Sequence, residues 1–256
     1  MRRAFVAIVL LGLMVGSAGV AAAQESSNAG GNSDWEFVVA PYLLFPHMDG
    51  SVTIGRIPID VDVGPSEVFE SLDFGFMLYL EAHNPDWAVT LDGLYMNLGE
   101  TGQLRDDGRT AEVDMKQLAL AATGLRRVAP WAELGIGGRL NVIEAGLAVE
   151  EGTILPAIDQ SDSKTWLDPL LAARFSVPFE NSRWRLGIRG DIGGFGIGSE
   201  IAWQIYPLVG YRFSRLFEMA LAYRWLGMEY ETGSGDDLFV YDVVDFGPEI
   251  GFLFHF

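Results

Sequence analysis

The chain has 256 residues, 17 of them Lys or Arg and 35 Asp or Glu, giving a formal charge of −18, and it contains no cysteine. Negative charge on this scale excludes a phosphate-neutralising, nucleic-acid-binding surface, and the missing cysteine excludes disulfides and thiolate metal sites. Stability must come from burying the 49% of residues that are hydrophobic, either in a core or against a solvent other than water.

Arg2 and Arg3 precede an apolar run from Ala4 to Val15, and Ala21, Ala22 and Ala23 follow. Positive charge, apolar stretch and small residues in that order predict a secretory signal peptide over residues 1–23, with the mature chain starting at Gln24. Residues 24–33, which include SSNAGGNS, read as a flexible spacer, and residues 34–256 read as one domain because no second linker interrupts them. The longest uncharged run after the signal, Phe37 to Met48, is interrupted by two prolines and falls well short of the ~20 apolar residues of a helical membrane span.

What recurs instead is period-two alternation, the pattern of strands that separate two environments. Strands are predicted near residues 35–45, 74–83, 87–98, 111–126, 131–148, 166–177, 183–193, 201–213, 216–230 and 244–256. A small extra hairpin is expected over Ser51 to Val63, and a short helix over Pro65 to Leu72. Trp184, Leu186, Ile188 and Ile192 share one parity while Arg185, Arg189 and Asp191 share the other. Leu134, Ile136, Leu140 and Val142 likewise oppose Glu133, Arg139 and Asn141. Between Val113 and Leu125 the pattern is less clean, because Gln117 falls on the parity read as apolar and outward. Short links at His83–Asp86, Ala129–Pro130, Pro178–Arg183 and Ser214–Arg215 alternate with longer charged ones at Gly99–Arg109, Glu150–Thr165 and Glu231–Asp242. That asymmetry predicts an all-β fold, an antiparallel up-and-down transmembrane β-barrel of about ten strands within a range of eight to twelve, with its short turns in the periplasm.

The stretch RGDIGGFGIGSE (Arg189–Glu200) lacks the lysine and Ser/Thr of a phosphate loop and the βαβ setting of a dinucleotide fingerprint. Its glycines, Gly193, Gly194, Gly196 and Gly198, predict a tight turn with positive φ and close backbone approach, and Phe195 is expected to fold back onto the barrel mouth. The polar parity gathers Glu81, Asp92, Glu133, Asp168, Asp191, Glu218 and Glu249 with Arg139, Arg174, Arg185, Arg189 and Arg224. Glu36, Asp114, Lys116 and Arg212 share the same parity. Charge facing lipid is costly, so this set is expected inside the barrel as a salt-bridged lumen network.

The last strand alternates Ile250, Phe252, Phe254 and Phe256 up to a terminal phenylalanine. It resembles the terminal strand by which the assembly machinery recognises bacterial outer-membrane β-barrel proteins. The stretch from Trp166 to Tyr230, with WLDPLLAARF, GDIGGFGIGS and AYRWLGMEY, is similar to small proteobacterial outer-membrane proteins of the OmpA/OmpW-like barrel superfamily. The resemblance implies the cell outer membrane as location, with membrane lipids and the barrel-assembly machinery as partners. It implies no activity.

Three functional classes stay open at this point: a passive structural barrel or narrow pore for small solutes; a surface binding protein using acidic extracellular loops, partner unspecified; and a secreted, lipocalin-like carrier of an apolar ligand. No enzyme is expected, because His83 and His255 fall at the periplasmic end, away from surface substrates, and His47 near the opposite mouth lacks a convincingly placed serine. No cofactor and no metal site is assigned, the acidic pairs Asp106–Asp107 and Asp236–Asp237 reading as solvated loop residues.

Overall fold

Alternation in the sequence is realised as strands that present one face to each side of a single sheet. The computed structural model describes residues 35–55, 57–103, 110–149, 158–179 and 182–256; the expected signal peptide and spacer (residues 1–33) and Asp106–Asp107 lie outside them. The elements are β1 (Glu36–Leu44), β2 (His47–Ile54), β3 (Ile57–Val63), a short helix α1 (Pro65–Glu70), β4 (Leu72–His83), β5 (Trp87–Gln103), β6 (Thr110–Ala129) and β7 (Ala132–Val149). They continue with β8 (Ile158–Pro178), β9 (Trp184–Gly194), β10 (Ile201–Arg212), β11 (Phe217–Thr232) and β12 (Phe239–His255).

All pairings are antiparallel. β1 is followed around the sheet by β4 and then by β5 to β12 in order, and β12 pairs back with β1, so ten strands close a barrel. One end carries the short links after β4, β6, β8 and β10 and is called the turn end; the opposite one is the loop end. The hairpin β2–β3 joins the same sheet at the loop end, where β2 takes over from β1: β12 pairs with β1 between His255 and Glu249, then with β2 between Phe246 and Phe239. The hand-over falls at Phe45–Pro46, where proline has no N–H for a ladder. Gly247 faces it, and a Cβ there would lie 2.0 Å from the Phe45 carbonyl oxygen.

A membrane strand needs roughly 9–11 residues, yet β5 to β8 have 17, 20, 18 and 21. At the loop end these strands and β12 continue past the predicted boundaries, taking in residues 99–103, 158–165 and 239–242, where the sequence predicts loop. Polar residues there interrupt the apolar parity, but both neighbours continue, and ladder bonds carry the strands on.

The outer surface is apolar, with Trp184, Leu186, Ile188, Leu221 and Ile136 all exposed, while Glu218 and Arg139 on the other face are each 1% exposed. Aromatic rings ring the turn end: Trp184 contacts Tyr211, then Phe213, Phe217 and Phe254 follow, each centroid within 5.6 Å of the next. Phe254 and Phe256 are exposed on this rim and Ile250 and Phe252 lie on the same outer parity. An apolar exterior around a polar interior, bordered by aromatics, is the membrane-barrel arrangement.

Two face assignments are corrected. β6 is turned over: Gln117 faces the lumen at 2% exposure, whereas Asp114 and Lys116 lie on the outer side, Lys116 paired with Glu144 at 3.0 Å. Both faces of β6 carry small or apolar residues, and its register with β5 and β7 decides the orientation. In the glycine turn only Gly194, Phe195 and Gly196 adopt positive φ. Gly198 instead permits contact, since a Cβ would meet Asp168 Oδ1 at 2.5 Å. Phe195 remains 52% exposed and does not fold over the mouth, because Ser199, rather than the ring, is what the turn sends inward.

Candidate functional site

The lumen is the one place where buried charge concentrates among the described residues, and it is organised in levels. At the turn end Arg174 reaches from β8 across to β4, donating to Glu81 at 2.5 Å, and its Nε donates to Glu133 on β7. Arg127 Nη2 adds a second donor to Glu133 at 3.0 Å, and the Tyr79 hydroxyl donates to Glu81. On the other wall Glu218 accepts from Arg185 and faces Arg212 Nε at 3.6 Å and His255 Nε2 at 3.4 Å. These groups line a vestibule of about 240 Å³. Glu36 stays at the rim, 3.5 Å from His83.

The middle level crosses the lumen. Asp92 on β5 accepts from Arg189 on β9 at 2.6 Å, from the Tyr42 hydroxyl at 2.8 Å, and from Arg224 on β11 at 3.4 Å. Arg224 also donates to Gln204 at 2.7 Å and to the Tyr42 oxygen at 2.9 Å, and it stands 3.8 Å from Glu249. Tyr206 donates to Glu249 at 2.5 Å. The Arg189 guanidinium lies between the rings of Tyr79 and Tyr206, 4.8 and 4.9 Å from their centroids, a placement that adds cation–π attraction to the ion pair. Arg139 donates to Asp191 at 2.6 Å.

Above this, charge gives way to neutral donors. Asp168, 0% exposed, has the parity of the charge network, but it accepts from Ser199 N at 2.6 Å, Asn141 Nδ2 at 2.7 Å, Ser199 Oγ at 3.0 Å and Trp166 Nε1 at 3.2 Å. It therefore anchors the β9–β10 turn. Gln117 donates across to Asp245 at 3.0 Å. At the loop end the interior is apolar: Met48 and Val52 of β2, Val68 of α1, Ile143, Trp166, Leu226, Met228, Phe239, Tyr241 and Val243 form one buried cluster. Trp166 stacks on Tyr230 at 4.0 Å and 8°.

The structure thus brings Glu81, Glu133 and Arg174 together at one level, Asp92, Arg189, Arg224 and Glu249 at the next, and Arg185 with Glu218, while Arg139 and Asp191 form their own pair. Sequence reasoning missed Tyr42, Tyr79 and Tyr206, whose signal was an aromatic on the polar parity. It also missed Asp245, one helical-looking but strand-phased step of four residues before Glu249. The chemistry available is bracing: guanidinium forks matched to carboxylates across a narrow ring.

A closed ten-strand antiparallel barrel, apolar outside and ion-paired inside, defines a protein of the outer-membrane barrel fold class. Among solved structures the chain is similar to the outer membrane protease OmpT from Escherichia coli, with a TM-score of 0.54 at 9% identity, covering 90% of this chain and 99% of that one. It is also similar to the translocator domain of the autotransporter NalP from Neisseria meningitidis (TM-score 0.42, 12% identity, 97% and 96% covered) and to Ail of Yersinia pestis (0.38, 12%, 87% and 98%). At 9% identity the likeness to OmpT concerns the fold alone. No protein-family model and no curated protein matches the chain.

Proposed function

We propose that this chain is an exported, integral outer-membrane barrel that works as a closed structural scaffold, one of the small proteobacterial OmpA/OmpW-like barrels. The observation that carries the reading is the double obstruction of the lumen: cross-wall ion pairs at mid-height, with Arg224 4% and Arg139 1% exposed, and an apolar cluster above them. A ten-strand ring is only slightly wider than one that side chains fill, and beyond the turn-end vestibule the cross-wall pairs and the apolar cluster occupy it. The outer aromatic parity supports contact with membrane lipid, and Ile250, Phe252, Phe254 and Phe256 on that parity support recognition by assembly machinery. The same faces argue against a soluble carrier, which would need its aromatics inside.

The test is planar-bilayer recording of purified, refolded protein. A closed scaffold stays silent across a wide voltage range; steady unitary currents in the wild type would overturn the reading in favour of a narrow solute pore.

A further inference from the structure

We propose that the outer face of the β2–β3 hairpin carries a divalent transition-metal site formed by His47, Asp49 and Asp62. One ligand atom from each residue lies within 4.8 Å of the others. The grouping follows from register: Asp49 and Asp62 are direct cross-strand partners, and His47 is two residues along β2 on the same face. The inward parity of the hairpin, Met48, Val52, Val61 and Val63, packs on the apolar cluster, so the three polar side chains are fixed outward.

Two carboxylates directly opposite one another repel across a sheet, and a dication turns that repulsion into coordination. The imidazole distinguishes this place from an acidic patch. Its ring stacks on Phe246, with centroids 4.9 Å apart and planes at 29°, and His47 Nε2 already points at Asp62 Oδ1 from 3.0 Å. One nitrogen with two carboxylates suits first-row transition ions, whereas Ca²⁺ and Mg²⁺ favour oxygen alone. Three protein donors leave further positions for water, as in open zinc sites. In the neighbouring row Asp242 and Asp60 flank Ser51 and raise the local concentration of cations.

The experiment uses the untagged, refolded barrel. Calorimetric titration with Zn²⁺ is expected to give one site whose affinity falls by about tenfold or more in His47→Ala and in Asp62→Asn, with no change in Glu144→Gln, which alters an outer-face carboxylate elsewhere on the wall. Loaded with one equivalent of Cu²⁺, the wild type should show nitrogen superhyperfine coupling in its electron paramagnetic resonance spectrum, and His47→Ala should lose it. This second readout needs no comparison of stabilities. The proposal is overturned by absence of Zn²⁺ binding, by affinity unchanged in His47→Ala, or by equal competition from Ca²⁺, which would mark an unspecific acidic surface.

Discussion

Replacing Arg189 by methionine tests whether the lumen ion pairs brace the barrel. The Arg189–Asp92 contact is 2.6 Å and its side chains are 17% and 7% exposed, so water does little to compensate for a lost partner. Breaking a buried pair from one side destabilises by ~3–5 kcal/mol. Asp92 keeps Tyr42 at 2.8 Å and Arg224 at 3.4 Å, so the lower end, about 3 kcal/mol, is expected for Arg189→Met. Asp92→Asn should cost a similar amount by leaving Arg189 without its carboxylate, while Arg224 keeps Gln204 and Tyr42. The double variant removes both halves, and its loss should fall short of the sum by ~1–3 kcal/mol. Equilibrium unfolding in guanidinium chloride, followed by tryptophan fluorescence in one detergent, measures all four corners. Additivity within about 0.5 kcal/mol would refute the bracing argument and leave the bridge as a by-product of putting charges out of lipid.

Three further outcomes are expected. Ile188→Arg, on the exposed apolar belt, should destabilise the barrel in lipid vesicles by ~2–4 kcal/mol, while Thr53→Arg on the outer face of β2 near the loop end should cost ~0–1 kcal/mol; equal effects would misplace the belt. Gly198→Ala pushes a Cβ to within 2.5 Å of Asp168 Oδ1, whereas Gly196→Ala meets nothing nearer than 3.9 Å. The first should cost ~1–3 kcal/mol by overpacking and loosen the β9–β10 turn to proteolysis, and the second about 1 kcal/mol through its positive φ alone. Trp166→Phe keeps the stack on Tyr230 but loses the bonds to Ser199 and Asp168, for ~1–3 kcal/mol, and Trp166→Ala should lose ~3–5 kcal/mol, both read by denaturant unfolding.

How much of this was legible in the sequence depends on contrast between parities. Along β9, Leu186 and Ile188 alternate with Arg185 and Arg189, and the faces can be read directly. Along β6, Met115, Ala119 and Leu125 oppose Leu118, Leu120 and Ala122; both sets are apolar, and the charges of Asp114 and Lys116 on one parity outweigh the lone Gln117 on the other, which points to the wrong face. The apolar cluster at the loop end was invisible for the same reason, Phe239 and Val243 alternating with Val240 and Val244. Membership of the inward face could be inferred residue by residue, but the partners could not. Arg189 meets Asp92 from 97 positions away, and that choice belongs to strand order, barrel width and tilt, none of which a local pattern contains. Asp168 shows the limit from the other side, since a carboxylate of correct parity serves a turn through neutral donors.

The strand β12 is the shared neighbour of β11, β1 and β2, so a single seventeen-residue ribbon fastens three others. Without it the wall keeps two rims whose unpaired backbone groups water-free lipid cannot quench, a curled sheet in place of a tube.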